Sequence, residues 1–573
     1  MKRRLPVAMA MTAVLAVAVA ACDEGGGGPA ELGAPSQDVT VLSQGTIAAW
    51  DPQRLSNPDA AAVASRLWMR TLTTHPGSSE VAKQVALVGD LATDTGTSSN
   101  GGRRWRFTLR KGLTWQDGSA LTCADLVHGV ARGFDPDLGG GSGYALAYLD
   151  IPKNKDGSSS YKGPFRTKKG GPSEKAFNEA VSCQGNTITY VLSEPVGDFD
   201  EMVSRPEFAP VAKASDRRAD GLHAARSSGP YKLEKAWTPG TGGTFVRNPK
   251  WKASSDPVRK ANVNSFVIEE GASPDRVVSA LRDTDRGRTT LVLDPAPPVV
   301  VEQVRQSTSE GVTILDEPNR IVDYLAPNHS RGPMKNAKVR RAFALATDRA
   351  AYAAALGGDE VARPVDSLLT TVVPSHHSAA MPAAGGADVP TAKTGLRQAK
   401  VSTPVKVSVT YRSDERMDEA MKALLPTWRR AGFEVTLKPI TEDYFTTIAK
   451  AEAGKQTDVF WANWAAEWPS ASTVLPPLFD SRMNLQGSSA GRDYGLLRDA
   501  GLNADFDEAA GLARGAKRAK AWSTIDIGLL KSGGYVPLAQ HRSTHLAGAS
   551  IGGLTVNQAL GGVLDLSTVK VTP

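Results

Sequence analysis

Glu467 stands in the run Trp461-Ala462-Asn463-Trp464-Ala465-Ala466-Glu467-Trp468-Pro469, with tryptophan on either side of it. A carboxylate in a cleft that excludes water suits an ammonium group, because charge-assisted hydrogen bonds strengthen as screening falls. Trp461, Trp464 and Trp468 either offer cation–π faces to the same group or are ordinary core. Arg412, at the end of the strand-like run 405–411, carries the complementary chemistry. A guanidinium fork fits a carboxylate bidentately; the plainer reading is a surface arginine at a strand end. Asn328 and Trp50 are weaker candidates for ligand contact. No G-x-x-x-x-G-K-[ST], H-E-x-x-H or Cys-x-x-Cys occurs, so phosphate-loop, zinc-protease and dithiol chemistry have no motif to rest on. His541 and His545 are four apart in a run that reads as strand and loop, without companion ligands, and His376-His377 are adjacent in a Pro- and Ala-rich loop. No metal or cofactor is expected, and catalysis is the weaker hypothesis.

The elements that must position these residues are legible in places. Trp105, Phe107 and Leu109 alternate with polar residues, the period of a half-buried strand, and Asp117-Gly118 supplies turn chemistry. Thr122 with Asp125 three residues on makes a capping box. Leu126, Val127, Val130, Ala131 and Phe134 then recur at helical spacing. Residues 187–192 and 262–268 read as strands, and 60–72 and 274–281 as helices. From about 416 to 431, Met417, Met421, Leu424, Leu425 and Trp428 form the stripe of a core-packing helix; Pro426 should kink it and Gly432 can close it. The Gly-, Ser- and Lys-rich stretch 135–172 reads as a long surface loop with a solvated charge run.

The chain has 573 residues, too many for one core. Its formal charge of +7 includes Lys2, Arg3 and Arg4, so the remaining excess is too small to argue for nucleic acid. Lys2-Arg3-Arg4 followed by the apolar run 5–21 and Cys22 reads as a secretory leader. Val19-Ala20-Ala21-Cys22 looks like a bacterial lipobox, which makes Cys22 the lipidation site; stable anchoring takes two acyl chains or more. Export would let Cys123 and Cys183 oxidise to a disulfide; two separate thiols, or a reactive thiolate at a helix N-terminus, are the alternatives.

Residues 105–134, Ser227 to Leu233 with Val246 to Trp251, Tyr324 to Arg349, and Val405 onward through Trp461–Pro469 to Val536-Pro537-Leu538 together resemble the family 5 extracellular solute-binding proteins, the peptide- and nickel-binding components of ABC importers. Pro327 departs from the resemblance, standing where the family prefers an aromatic. The resemblance implies an α/β chain with the periplasmic-binding-protein type II fold, two lobes plus an extra α/β subdomain. Its domains are expected as 1–21 lipoprotein signal peptide, 22–37 flexible tether, 38–71 first part of lobe I, 72–216 extra subdomain, 217–305 second part of lobe I, 306–532 lobe II and 533–573 C-terminal part of lobe I. It further implies that Glu467 meets a ligand's α-ammonium group, one methylene longer than the family's aspartate, and that Arg412 clamps a carboxylate. The expected protein is a monomer, lipid-anchored on the extracellular face of the cytoplasmic membrane. Its partners would be an oligopeptide and ABC permease subunits, with no nucleic acid. A nickel chelate or glycoside as ligand, a peptide-sensing role, and a secreted hydrolase are the competing readings.

Overall fold

The computed structural model describes residues 37–55, 57–138, 143–283, 285–307, 311–377, 385–487 and 489–572. The expected leader, Cys22 and the tether as far as Ser36 lie outside the described residues.

An eleven-stranded mixed sheet runs through the molecule. In chain order its strands are β1 Asp38–Leu42, β2 Tyr231–Leu233, β3 Gly242–Arg247, β4 Ser265–Glu269, β5 Thr290–Val292, β6 Thr313–Pro327, β7 Ala362–Pro364, β8 Val405–Arg412, β9 Phe433–Ile440, β10 Val459–Ala465 and β11 Val536–Ala547. They lie in the order β9-β8-β10-β6-β11-β5-β1-β4-β3-β2, with β7 also on β11. One half of the sheet, with β1 and its neighbours, belongs to lobe I. The half with β8 and β9, built from parallel β-α-β connections, belongs to lobe II.

Among the described residues only β6 and β11 run through both halves. They pair from Thr313↔Ala547 to Pro318↔Arg542, and again from Val322↔Gln540, with a register break across residues 319–321. Each half has its own apolar core. One gathers around Trp50, Trp68, Trp237 and Phe245; the other holds Tyr324, Phe343, Trp428 and Tyr535. The break in β6 falls between the two cores, where a bulge interrupts the ladder and leaves the strands free to bend.

A separate four-stranded sheet, residues 97–99, 104–108, 187–191 and 181–184 in spatial order, carries the extra subdomain. Its core contains Trp105, Phe107, Tyr190, Phe199 and Phe208. The helix Cys123–Arg132 begins with a full capping box, Thr122 and Asp125 each accepting from the other's backbone. Cys123 at its first position forms a disulfide with Cys183 on the adjoining strand, Cα atoms 6.1 Å apart.

Other elements differ at their ends from the sequence expectation. The helix read over 60–72 is Pro58–Leu67 and stops early. The chain turns at Trp68 so that Arg70 can reach Asp90 at 2.7 Å, a tertiary demand that propensity does not show. The helix Glu415–Ala431 passes through Pro426 and ends on Gly432 at φ 103°, the left-handed closure that glycine permits.

Candidate functional site

After β10 leaves the sheet, residues 466–473 fold into a tight loop. Trp464 and Glu467 are both tied to Thr473: the Trp464 indole donates to its carbonyl at 2.8 Å, and the Glu467 amide to its hydroxyl at 3.2 Å. Ser470 caps the short turn that follows. The loop therefore presents Glu467 and Trp468 in fixed positions, facing the extra subdomain.

Asp198 of that subdomain receives the loop. Its Oδ2 accepts from the Trp468 indole at 3.0 Å and from the Ser472 hydroxyl at 2.5 Å, and Arg518 lies 2.8 Å away. Burial opposes ionisation of Asp198, but Arg518 and the hydroxyl and indole donors outweigh it and hold its carboxyl down at about 2. Arg514 adds pairs to Asp200 and Glu201 at 3.0 and 2.9 Å. Gly197 donates its amide to the Ala510 carbonyl at 2.8 Å. A Cβ at Gly197 would sit 2.1 Å from the Leu512 carbonyl oxygen, so only glycine lets the two backbones approach there.

Beside this seam lies a cavity of about 450 Å³, with Tyr144, Tyr148 and Glu194 of the subdomain on one side and Glu467, Trp468 and Arg492 of lobe II on the other. Tyr144 and Tyr148 lie nearly parallel, ring centroids 6.3 Å apart, and Trp468 packs 5.2 Å from Tyr144. Burial and then the Glu467 carboxylate alongside push the Tyr144 hydroxyl far above its usual range, so it stays a neutral donor toward Glu467. The same carboxylate is 3.5 Å from Arg205, both side chains about a third exposed. Arg320, inside the register break of β6, donates to the Ala466 carbonyl at 3.3 Å. Burial and then repulsion from Arg205 lower its pKa. A larger cavity of about 1000 Å³ lies against the helices Ala500–Gly511 and Ala516–Ser532 within lobe II. It touches none of the sequence-derived candidates, and the smaller cavity, bounded by two parts of the fold, is the better placed for recognition.

The structure brings Glu467 and Trp468 to this cavity and sets the other candidates elsewhere. Trp464 is half-buried under Arg492, whose guanidinium sits 4.8 Å over its ring, so its cation–π face is already occupied. Arg412 is exposed at the end of β8 and does not line the cavity. Asn328 is fully buried and donates to the Gly454 and Thr457 carbonyls while accepting from Ser330; its expected ligand contact is corrected to a backbone brace. Trp50 is likewise corrected to core: fully buried, it packs edge-on against Trp68, Trp237 and Phe245. The sequence reading missed Tyr144, Tyr148 and Glu194, because two of them sit in the stretch read as a surface loop. It also missed Arg205 and Arg320, which carry no local pattern.

Residues 487–491, Gly-Ser-Ser-Ala-Gly, have the spacing of a nucleophile elbow. That motif requires a strand-to-helix turn, whereas Ser489 follows a short helix and makes an isolated bridge with Lys450. Among the described residues no group of three His, Cys, Asp or Glu side chains could hold a metal ion. His541 pairs with buried Asp323 at 2.9 Å. No helix among the described residues is long and apolar enough to cross a membrane.

Comparison with known proteins places the fold and the family. The chain is 23% identical over 535 residues to the probable deoxycholate-binding periplasmic protein YgiS of Escherichia coli, covering 91% of this chain and 92% of that one. It is 24% identical over 250 residues to the periplasmic oligopeptide-binding protein OppA of Salmonella typhimurium, covering 43% and 42%. Among solved structures, clavulanic acid biosynthesis oligopeptide binding protein 2 superposes with a TM-score of 0.79 at 25% identity, over 94% of this chain and 97% of that one. The model of the bacterial extracellular solute-binding proteins, family 5 Middle, matches residues 86–485; the chain belongs to this family of substrate-binding proteins and has its type II periplasmic-binding-protein fold.

Proposed function

We propose that the chain is the membrane-tethered extracellular binding component of an ABC importer, capturing oligopeptides between its lobes and delivering them to the permease. The observation that carries this reading is the cavity beside Glu467, walled by lobe II on one side and the extra subdomain on the other. A ligand that touches both walls favours the shut form by the contacts it gains there. The bulged pair β6 and β11 is the natural hinge, because among the described residues it is the strand pair that runs from one core to the other. Glu467 is the acid offered to the ligand's ammonium group, and the tyrosines and Trp468 exclude water around it. Lipidation at Cys22 would hold the body at the outer face of the cytoplasmic membrane.

The test is thermal unfolding of the chain lacking residues 1–22 against pooled peptides of two to eight residues, with deoxycholate, sugars and nickel as separate arms. A ligand present at about 100 times its dissociation constant adds about 2.7 kcal/mol to the folded state. A rise in midpoint with peptides alone, lost in Glu467→Ala, supports the reading. A response confined to deoxycholate, sugar or nickel discards the peptide and keeps the binding role. That the full-length relative is named for deoxycholate binding is the reason for that arm.

A further inference from the structure

We propose that the cavity beside Glu467 is a subsite for a cationic side chain, a guanidinium or alkylammonium group on the bound peptide, held between the Tyr144 and Tyr148 rings and the Glu194 carboxylate. This rests on the peptide reading above and specifies which peptides the site selects.

The argument begins with charge. Five carboxylates and two guanidiniums line the cavity. Arg482 closes on Asp480 and Asp507 together, at 2.6 and 2.7 Å. Asp198 takes Arg518 and Glu467 takes Arg205, while Arg492 is turned over the Trp464 ring. Glu194 is left as the one lining carboxylate with no cation within 4 Å among the described residues. Partial burial and the nearby Asp507 raise its pKa; Lys153, Arg482 and Arg103 are felt only from beyond ion-pair distance.

Shape and surface point the same way. Tyr144 and Tyr148 are four apart on one helical turn and so share a side, and their rings are 14° from parallel. Such faces attract cations. The volume of about 450 Å³ falls within the range of small-molecule sites and admits a long side chain. An apolar side chain would fit the rings but would strip water from Glu194 with nothing in return, which is unfavourable. A cation satisfies rings and carboxylate at once.

Calorimetric titration of the mature chain tests this with alanine tripeptides carrying Arg, Lys, Gln, Leu or Glu at each position in turn. The expected result is that, at one position, Arg and Lys bind about tenfold tighter than Gln or Leu and Glu binds weakest. Glu194→Gln, which keeps the side chain's length and removes its charge, should erase that preference, so that Arg and Lys at that position bind no tighter than Gln, with the unfolding midpoint checking that the variant is folded. Peptides that bind without a preference for cations, or a preference that survives Glu194→Gln, would overturn the subsite and leave the peptide reading standing. Failure of every peptide to bind would overturn both.

Discussion

The extra subdomain is fastened toward lobe I and toward lobe II, and the charged contacts at the two faces are built differently. Toward lobe I, Asp90 sits between Arg70 and Arg259 at 2.7 and 2.9 Å, and Asp256 pairs with Arg259 at 3.2 Å; these side chains are at most 1% exposed. Toward lobe II the charges are also paired, but Arg514 is 44% and Arg205 29% exposed. The first is a weld, whose groups have no route to water. The second is a seam in which Arg514 and Arg205 reach solvent and rehydrate easily on opening, around one inner pair, Asp198–Arg518, that is only 6–7% exposed. A molecule that must release its ligand needs one of each.

The sharpest test of the weld is Arg259→Ala. It leaves two buried carboxylates, Asp90 and Asp256, to share Arg70 alone, and breaking a buried pair in this way costs roughly 3–5 kcal/mol. Urea unfolding should record that loss. A loss under about 1 kcal/mol would show that the weld is no tighter than the seam. The disulfide belongs to the same rigid side, closing a separation of 60 residues inside the subdomain. Replacing Cys123 and Cys183 by serine should cost roughly 2–4 kcal/mol while leaving peptide binding by folded protein intact. A larger effect on binding than on unfolding would move it to the seam.

At the seam, Asp198→Asn leaves Arg518 without its counter-charge and is expected to cost about 1–3 kcal/mol. Its pH dependence follows from the depressed carboxyl. With a folded value near 2 against 3.8 unfolded, the unfolded chain binds the proton first as pH falls. The contribution is therefore whole above about pH 4 and is lost as pH drops toward 2. Wild type and variant should converge in stability over that window; a difference that is constant with pH would break the assignment.

The weld and the seam were unequally legible in the sequence. Features fixed by neighbours along the chain came through: the Thr122–Asp125 capping box, the Gly432 closure, and the alternation at Trp105. Features fixed by tertiary partners did not. Nothing local at Asn328 shows that its amide braces two distant carbonyls, so the sequence leaves it a candidate for ligand contact. Tyr144 and Tyr148 were hidden because glycine and lysine around them dominate the composition of that stretch, although their i, i+4 spacing was there to be seen. Glu467 and Trp468 emerged because a short segment carries them together, whereas Arg205 and Arg320 reach the same place from separate elements.

The smallest effect expected is also the most discriminating. The Glu467–Arg205 contact is long at 3.5 Å and about a third open to water, so Arg205→Ala should change unfolding by less than about 1 kcal/mol. Its effect on binding has a definite sign under each reading of Glu467. If Glu467 receives the ligand's ammonium group, Arg205 competes for the same carboxylate, and its removal should tighten peptide binding by a few-fold, about 0.5–1 kcal/mol. If Glu467 serves only to hold the seam shut through Arg205, the same change loosens the closed form and must weaken binding. Measuring peptide affinity in Arg205→Ala beside Glu467→Gln separates the two: opposite directions place Glu467 at the ligand, and parallel losses return it to the seam.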